Sequence, residues 1–383
     1  MVNTGLRWEQ SQSFEAGLDI GFLNNRLSFI LDYYNRTTKD LLTKQALPGY
    51  TGFTEIMTNM GTLRNYGFEM EVRANILNNP KGLTWDVTAN LSSVANKIVK
   101  LPYNGNPNNR VGGYEVATGR KKADGTDETK WIAGRQEGGK LGELVAYKQN
   151  HIFKDWDDVK KYANNRIDEV ANLYGPGLAA QYAGKEGWQP IEPGDVCWED
   201  INGDGVINGY DRQVVGNIFP KVTGGFSTTL GYKNLSLYAR FDYALGHTIY
   251  NDLAARSLGQ YQGSFNIIKE VKKTWSETNT DTDLPAFYYA DQLSKKNITR
   301  SNNGLTAIDN NSSRFYEKGD YLALRELTLN YNLPKTWISK VGMTDASVYV
   351  TGQNLFYITG YTGVSPEPAV DCLLYTSPSP RDS

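Results

Sequence analysis

The chain has 383 residues and nearly balanced charge, with 40 Lys and Arg against 42 Asp and Glu for a net of -2. No basic stripe interrupts that balance, which argues against a nucleic-acid partner. Although 39% of the residues are hydrophobic, no apolar run approaches the roughly 20 residues that a membrane-spanning helix needs, so insertion as helices is excluded.

From the first expected strand onward the chain alternates. Phe14, Ala16, Leu18, Ile20 and Phe22 take one face of a strand over residues 12–23, and Glu15, Gly17, Asp19 and Gly21 take the other. Asn24-Asn25 turns into a second strand over 26–37, after which Thr38 to Met60 reads as a long loop. Tyr66, Phe68, Met70, Val72, Ala74 and Ile76, set against Gly67, Glu69, Glu71, Arg73 and Asn75, give a strand over 62–77. Asn78 to Gly82 is a tight turn, and Leu83, Trp85, Val87, Ala89 and Leu91 mark a strand over 83–95. The stretch from Asn96 to Lys221 is the longest connection. Strands over 222–232 and 235–246 flank the turn Lys233-Asn234, and the second alternates Leu235, Leu237, Ala239, Phe241 and Tyr243. After a long stretch from Gly246 to Gly319, strands over 320–333 and 346–357 flank the turn from Pro334 to Asp345.

One face of these strands is continuously apolar and the other carries full charges, so neither resembles a solvent surface opposite a packed core. Walking the chain up and down puts every short turn on one side and every long connection on the other. A transmembrane antiparallel β-barrel has both properties, with short periplasmic turns and long extracellular loops. The expected fold is therefore all-β, with about eight spanning strands; Leu18, Val72 and Phe241 face lipid, and Asp19, Glu71 and Asp242 face the lumen. Tyr33, Tyr34, Trp85, Tyr232, Tyr243, Tyr331, Phe356 and Tyr357 fall near strand ends, where an aromatic girdle would sit.

The longest connection carries one constellation with chemistry. Asp200, Asn202, Asp204, Asn208 and Asp211 place oxygen side chains at positions 1, 3, 5, 9 and 12 of a twelve-residue loop, with Gly205 at position 6, the Val206 carbonyl at 7 and Ile207 at 8. Calcium takes six to eight hard oxygen ligands, and this spacing matches the EF-hand loop, except that Asp replaces the bidentate Glu at position 12. A structural Ca²⁺ within residues 195–216 is one reading; a turn cluster that binds nothing is the other. Ligand contacts are expected from aromatic residues of the long loops: Trp131, Trp156, Tyr174, Trp188 and Trp198 in one, and Tyr250, Tyr261, Tyr288 and Tyr289 in the next. Such rings stack on sugars or clamp peptides, or else pack the loops. Cys197 is expected to be packed, since its only potential partner is Cys372. His151 and His247 lack zinc-ligand spacing, and no nucleophile elbow, phosphate loop or catalytic triad is present.

Three segments carry a family resemblance: Asn65 to Glu69 (NYGFE), Phe315 to Pro334 (FYEKGDYLALRELTLNYNLP) and Val348 to Glu367 (VYVTGQNLFYITGYTGVSPE). Together they resemble the C-terminal barrel of SusC/RagA-type TonB-dependent transporters of the Bacteroidota outer membrane. The likeness covers nearly all of residues 1–370. It departs at Ala323 and Glu326, where the family often has Arg and Asn, and at Ser365, where it often has Asp. The resemblance implies a 22-stranded barrel with an N-terminal plug and TonB box outside this chain. It also implies non-enzymatic import of an oligosaccharide or a peptide, driven by the TonB complex, with a SusD-like surface lipoprotein over the loops. The alternative from a different class is a secreted soluble β-sandwich module for binding or adhesion, with a calcium loop. Met1-Val2-Asn3-Thr4 lacks signal-peptide features, so residues 1–371 are expected to be a C-terminal portion of the barrel whose closing strand is missing. Residues 372–383 (CLLYTSPSPRDS) resemble translated sequencing-adapter read-through and are set aside.

Overall fold

The computed structural model describes residues 5–47, 49–79, 82–168, 172–258, 268–287 and 312–367. All eight expected strands are present: β1 (Gln10–Phe22), β2 (Leu27–Ala46), β3 (Glu55–Asn78), β4 (Leu83–Lys100), β5 (Val222–Tyr232), β6 (Leu235–Leu245), β7 (Tyr321–Asn332) and β8 (Ser347–Thr359). They form one antiparallel sheet in chain order, with β1 and β8 at its two edges among the described residues.

Register explains why the alternation holds along so much of the chain. Ile20, Phe29, Val72, Ala89, Phe226, Phe241, Leu324 and Phe356 are successive cross-strand partners, one apolar row across all eight strands. Two residues along, Leu18, Leu31, Met70, Leu91, Gly224, Tyr243, Leu322 and Ile358 make a second row on the same face. Phe226 and Phe241 stack with centroids 4.5 Å apart. Between the two rows, on the opposite face, run Asp19, Glu71, Asn90 and Asp242. A one-residue slip of any strand would exchange these faces, so the pattern itself fixes the pairing. The apolar face is open rather than covered: Leu18 is 55% exposed and Val350 72%.

Tight turns join the strands on one side. Leu23, Asn24 and Asn25 all adopt left-handed backbone, at φ of 53°, 58° and 61°; Asn accepts that region, whereas Leu does so at a cost. Arg26 then donates to the Ile76 carbonyl at 2.8 Å, tying this turn to the end of β3. At the β5–β6 turn Asn234 Nδ2 donates to the Asn332 carbonyl at 2.7 Å. The connection between β7 and β8 forms short helical turns over Lys335–Ile338 and Ser339–Val341, ended by Gly342 at φ 77°.

The expected loop from Thr38 to Met60 is a correction. β2 continues to Ala46 and β3 begins at Glu55, so most of that stretch is ladder. The register shifts twice between Thr38 and Thr43, and Asp40 sits at φ 55°, a bulge that breaks the period of two and hides the strand. Asn59 holds the bulge, donating to the carbonyls of Asp40 and Arg7 at 2.8 Å each and accepting from the Arg7 N–H at 2.7 Å.

Candidate functional site

The functional candidates lie in the two long connections and on the polar face of the sheet. The described residues of 101–221 are a folded unit rather than an irregular loop. Short strands over Glu143–Tyr147, Gln149–Ile152, Val196–Trp198 and Arg212–Asn217 pair within it. They enclose a core of Tyr147, Ile152, Phe153, Val159, Ile167, Leu173, Ile191, Val196, Cys197, Trp198 and Ile207. The second connection packs onto this core through Trp275, whose indole N–H donates to the Lys154 carbonyl at 3.1 Å, and through Gln149 N–H on Ser313 Oγ at 3.0 Å. Cys197 is buried as expected, and burial pushes its thiol up to about 11.

The twelve-residue loop is positioned by that core. Ile207, its eighth residue, is buried, and Val206–Ile207 pairs with Arg166–Ile167. Gly203 and Gly205 take φ of 71° and 80°, which admits the tight path. Its carboxylates accept backbone N–H groups: Asp200 those of Gly203 (2.7 Å) and Gly205 (2.9 Å), Asp204 that of Val206 (2.7 Å), and Asp211 those of Ile201 (2.8 Å) and Asn208 (2.9 Å). Asn202 donates to Asp204 at 3.0 Å and to Asp127 at 3.2 Å, and Asn208 accepts from the Tyr210 N–H at 2.9 Å. Asp211 is fully buried. Desolvation, helped by the charges of Asp200 and Asp204 and opposed by its two N–H donors, raises its carboxyl to about 6. Among the described residues no three acidic, His or Cys side chains are arranged to hold a metal ion, so the carboxylates stand apart as placed.

The aromatic candidates divide by environment. Trp198 is 3% exposed and meets Tyr147 edge-on at 6.3 Å. It belongs to the core, and the expectation that it contacts a ligand is corrected on that ground. Trp131 is half-buried beneath the Arg110 guanidinium, 3.8 Å from the ring centroid. Trp188, also half-buried, leans on Tyr182 at 4.5 Å; Tyr182 stacks on Tyr174, and Lys185 lies over Tyr182 and Trp188. Trp156 is exposed. Tyr250 packs against Tyr316 at 5.2 Å. Tyr261, Tyr288 and Tyr289 lie outside the described residues.

One cluster escaped the sequence reading. Arg325 sits where the β7 register shifts against both neighbours, and its side chain turns to the polar face. It donates to Asp242 (3.0 Å), the Tyr357 hydroxyl (3.0 Å), Asn354 (3.3 Å) and the Glu367 carboxylate. Tyr357 also donates to Glu367 at 2.9 Å. The segment leading to Glu367 is fastened further back as well: Thr362 donates to Glu317, and the buried His247 ring bonds the Pro366 carbonyl at 3.0 Å. Charge-assisted bonds of this kind are about twice as strong as neutral ones.

Comparison with known proteins adds the lineage. A family model described as TonB dependent receptor-like, beta-barrel matches residues 2–242. The chain is similar to TonB-dependent receptor P3 of Formosa agariphila, 30% identical over 366 residues, which span 96% of this chain and 31% of that protein. It is 27% identical to TonB-dependent receptor SusC of Bacteroides thetaiotaomicron over 99% of this chain and 31% of that protein. Among solved structures, the RagAB peptide importer in its open-open state matches 96% of this chain and 33% of its own at a TM-score of 0.64 and 24% identity, a likeness of fold. The chain spans about a third of the length of these relatives.

Proposed function

This chain belongs to the TonB-dependent receptor-like β-barrel family, and from that premise we propose that it forms part of an outer-membrane wall through which an oligosaccharide or a peptide is imported. The observation that carries the reading is the pair of apolar rows crossing all eight strands, open on their outer side, with charged residues directly behind. Such a face suits hydrocarbon, and its polar counterpart suits a watery lumen. A soluble sandwich is not favoured, because it would bury one face and present polar residues on the other.

On this reading outer-membrane lipid contacts Leu18, Val72 and Phe241. A SusD-like lipoprotein lies over the long connections, the TonB complex supplies energy, and no catalysis is involved. The experiment is uptake of labelled oligosaccharides and peptides by cells producing the transporter, with and without an uncoupler of the proton gradient. Uptake should require the gradient. Uptake that persists at full rate in the uncoupled cells would remove TonB-driven import.

A structural Ca²⁺ in the loop from Asp200 to Asp211 is part of the same proposal. The donor set fits a hard cation; Asp211 is raised chiefly by desolvation and in smaller part by the charges of Asp200 and Asp204, and a divalent ion would offset both. Asp200, Asn202, Asp204, Asn208 and Asp211, with the Val206 carbonyl, would hold it once the carboxylates drew together, and its role would be to stiffen the connection.

A further inference from the structure

Beneath the long connections, where β4, β5 and β6 reach the rim, lies a cavity of about 800 Å³. Its polar walls are mostly committed to holding the loops. Asn96 accepts the Leu141 N–H at 2.7 Å, and Asn217 donates to the Leu141 carbonyl at 2.9 Å. Of the two carboxylates, Glu143 accepts the Ala133 N–H at 3.0 Å and Asp320 that of Gly246 at 2.5 Å. Three lysines line the same space from three different segments: Lys140, Lys221 and Lys318. All three are exposed, and none of their ammonium groups has a hydrogen-bonded or ion-paired partner among the described residues. Three ammonium groups against two carboxylates leave one excess positive charge. The lysines are the charged groups there with their bonding capacity free, and the buried His247 Nδ1 in the same lining also lacks a partner.

We propose that this cavity receives an anionic group, a carboxylate or a sulfate, of the ligand that the transporter carries. The inference rests on the import reading above and narrows its substrate class. An ammonium on a flexible stem is a mobile point charge that suits anions presented in varied poses. Acidic saccharides and acidic peptides share this chemistry, so the test carries both.

The transporter is purified from outer membranes, and its affinity is measured for short oligogalacturonate, a sulfated oligosaccharide and oligoglutamate, with a neutral maltooligosaccharide as control. Lys140, Lys221 and Lys318 are replaced together by Gln, and separately together by Arg. The glutamine form should bind its anionic probe about tenfold more weakly, with neutral binding unchanged, and the arginine form should restore it. Which anionic probe binds the parent identifies the source. Equal affinity of the glutamine form and the parent, or no anionic probe binding at all, would overturn the proposal. Should the glutamine form fail to assemble, salt decides: anion affinity of the parent must fall as ionic strength rises, and indifference overturns it. Gradient-driven uptake of a neutral ligand with no anion binding would sink the anion site alone; anion binding that responds to the lysines, with no gradient-driven uptake, would sink import alone.

Discussion

Arg325 shows how a single side chain can be marked in the sequence without its partners being readable. Leu322 and Leu324 hold even positions, whereas Leu327, Leu329 and Tyr331 hold odd ones, and two successive polar residues, Arg325 and Glu326, stand where the phase changes. That slip announces the bulge. Nothing local announces Glu367, 42 residues later. Replacing Arg325 by Met leaves Asp242 and Glu367 without their common donor and should weaken the tether of residues 361–367 by about 2 kcal/mol. Hydrogen exchange at Thr362 and Glu367 should rise while the β-sheet amides stay protected; unchanged exchange there would show the cluster to be ornamental. Cys197 is legible for a simpler reason, since a lone thiol beside a Trp is most often core. Raised to about 11 and 2% exposed, it should react with iodoacetamide at pH 8 at least about 100-fold more slowly than in denaturant. Rapid labelling of the folded protein would contradict the packing.

At the scale of the strand, alternation carried the reading because both faces are under chemical constraint. At the Asp40 bulge the pattern and the expected boundary fail together, whereas the strand around Arg325 keeps its expected bounds. Register also explains one motif residue physically. Gly67 of the NYGFE segment lies opposite Tyr34, and a β-carbon at Gly67 would collide with the Tyr34 ring and the Ser93 carbonyl, so the strand needs a residue with no side chain there. Val72 and Glu71 offer a matched comparison of the two faces. Arg on the lipid face near the midplane costs about 2 to 4 kcal/mol, so Val72→Arg should depress assembly of the heat-modifiable barrel far more than Glu71→Arg. Equal yields of the two forms would count against a membrane setting for this face.

For the molecule as a whole, the asymmetry of short and long connections was visible in the chain, but the fold inside the long ones was not. Among the described residues their strands run from two to eight residues, all but Tyr114–Lys121 to six or fewer, and several pair with distant segments, as Val206–Ile207 does with Arg166–Ile167; segments that short show no period. The calcium proposal is tested at this scale. Protease cleavage between Asp195 and Gly216 should be slow in calcium and faster with chelator, while the sheet stays resistant; cleavage indifferent to chelator would leave a simple turn. The pH trend has a defined sign. Without cation the folded loop holds the Asp211 proton more tightly than the unfolded one, so its stability should fall as pH rises from 3.8 to about 6. With Ca²⁺ the trend should reverse, since the ion competes with that proton. Finally, β4 and β5 are hydrogen-bonded neighbours although residues 101–221 intervene between them. Closure entropy grows only logarithmically with length, about 0.6 kcal/mol per doubling, and a connection with its own core shortens the effective span to be closed. The insert should therefore tolerate exchange for another of different size while the sheet keeps its register, which makes the segment between Lys100 and Val222 a cassette.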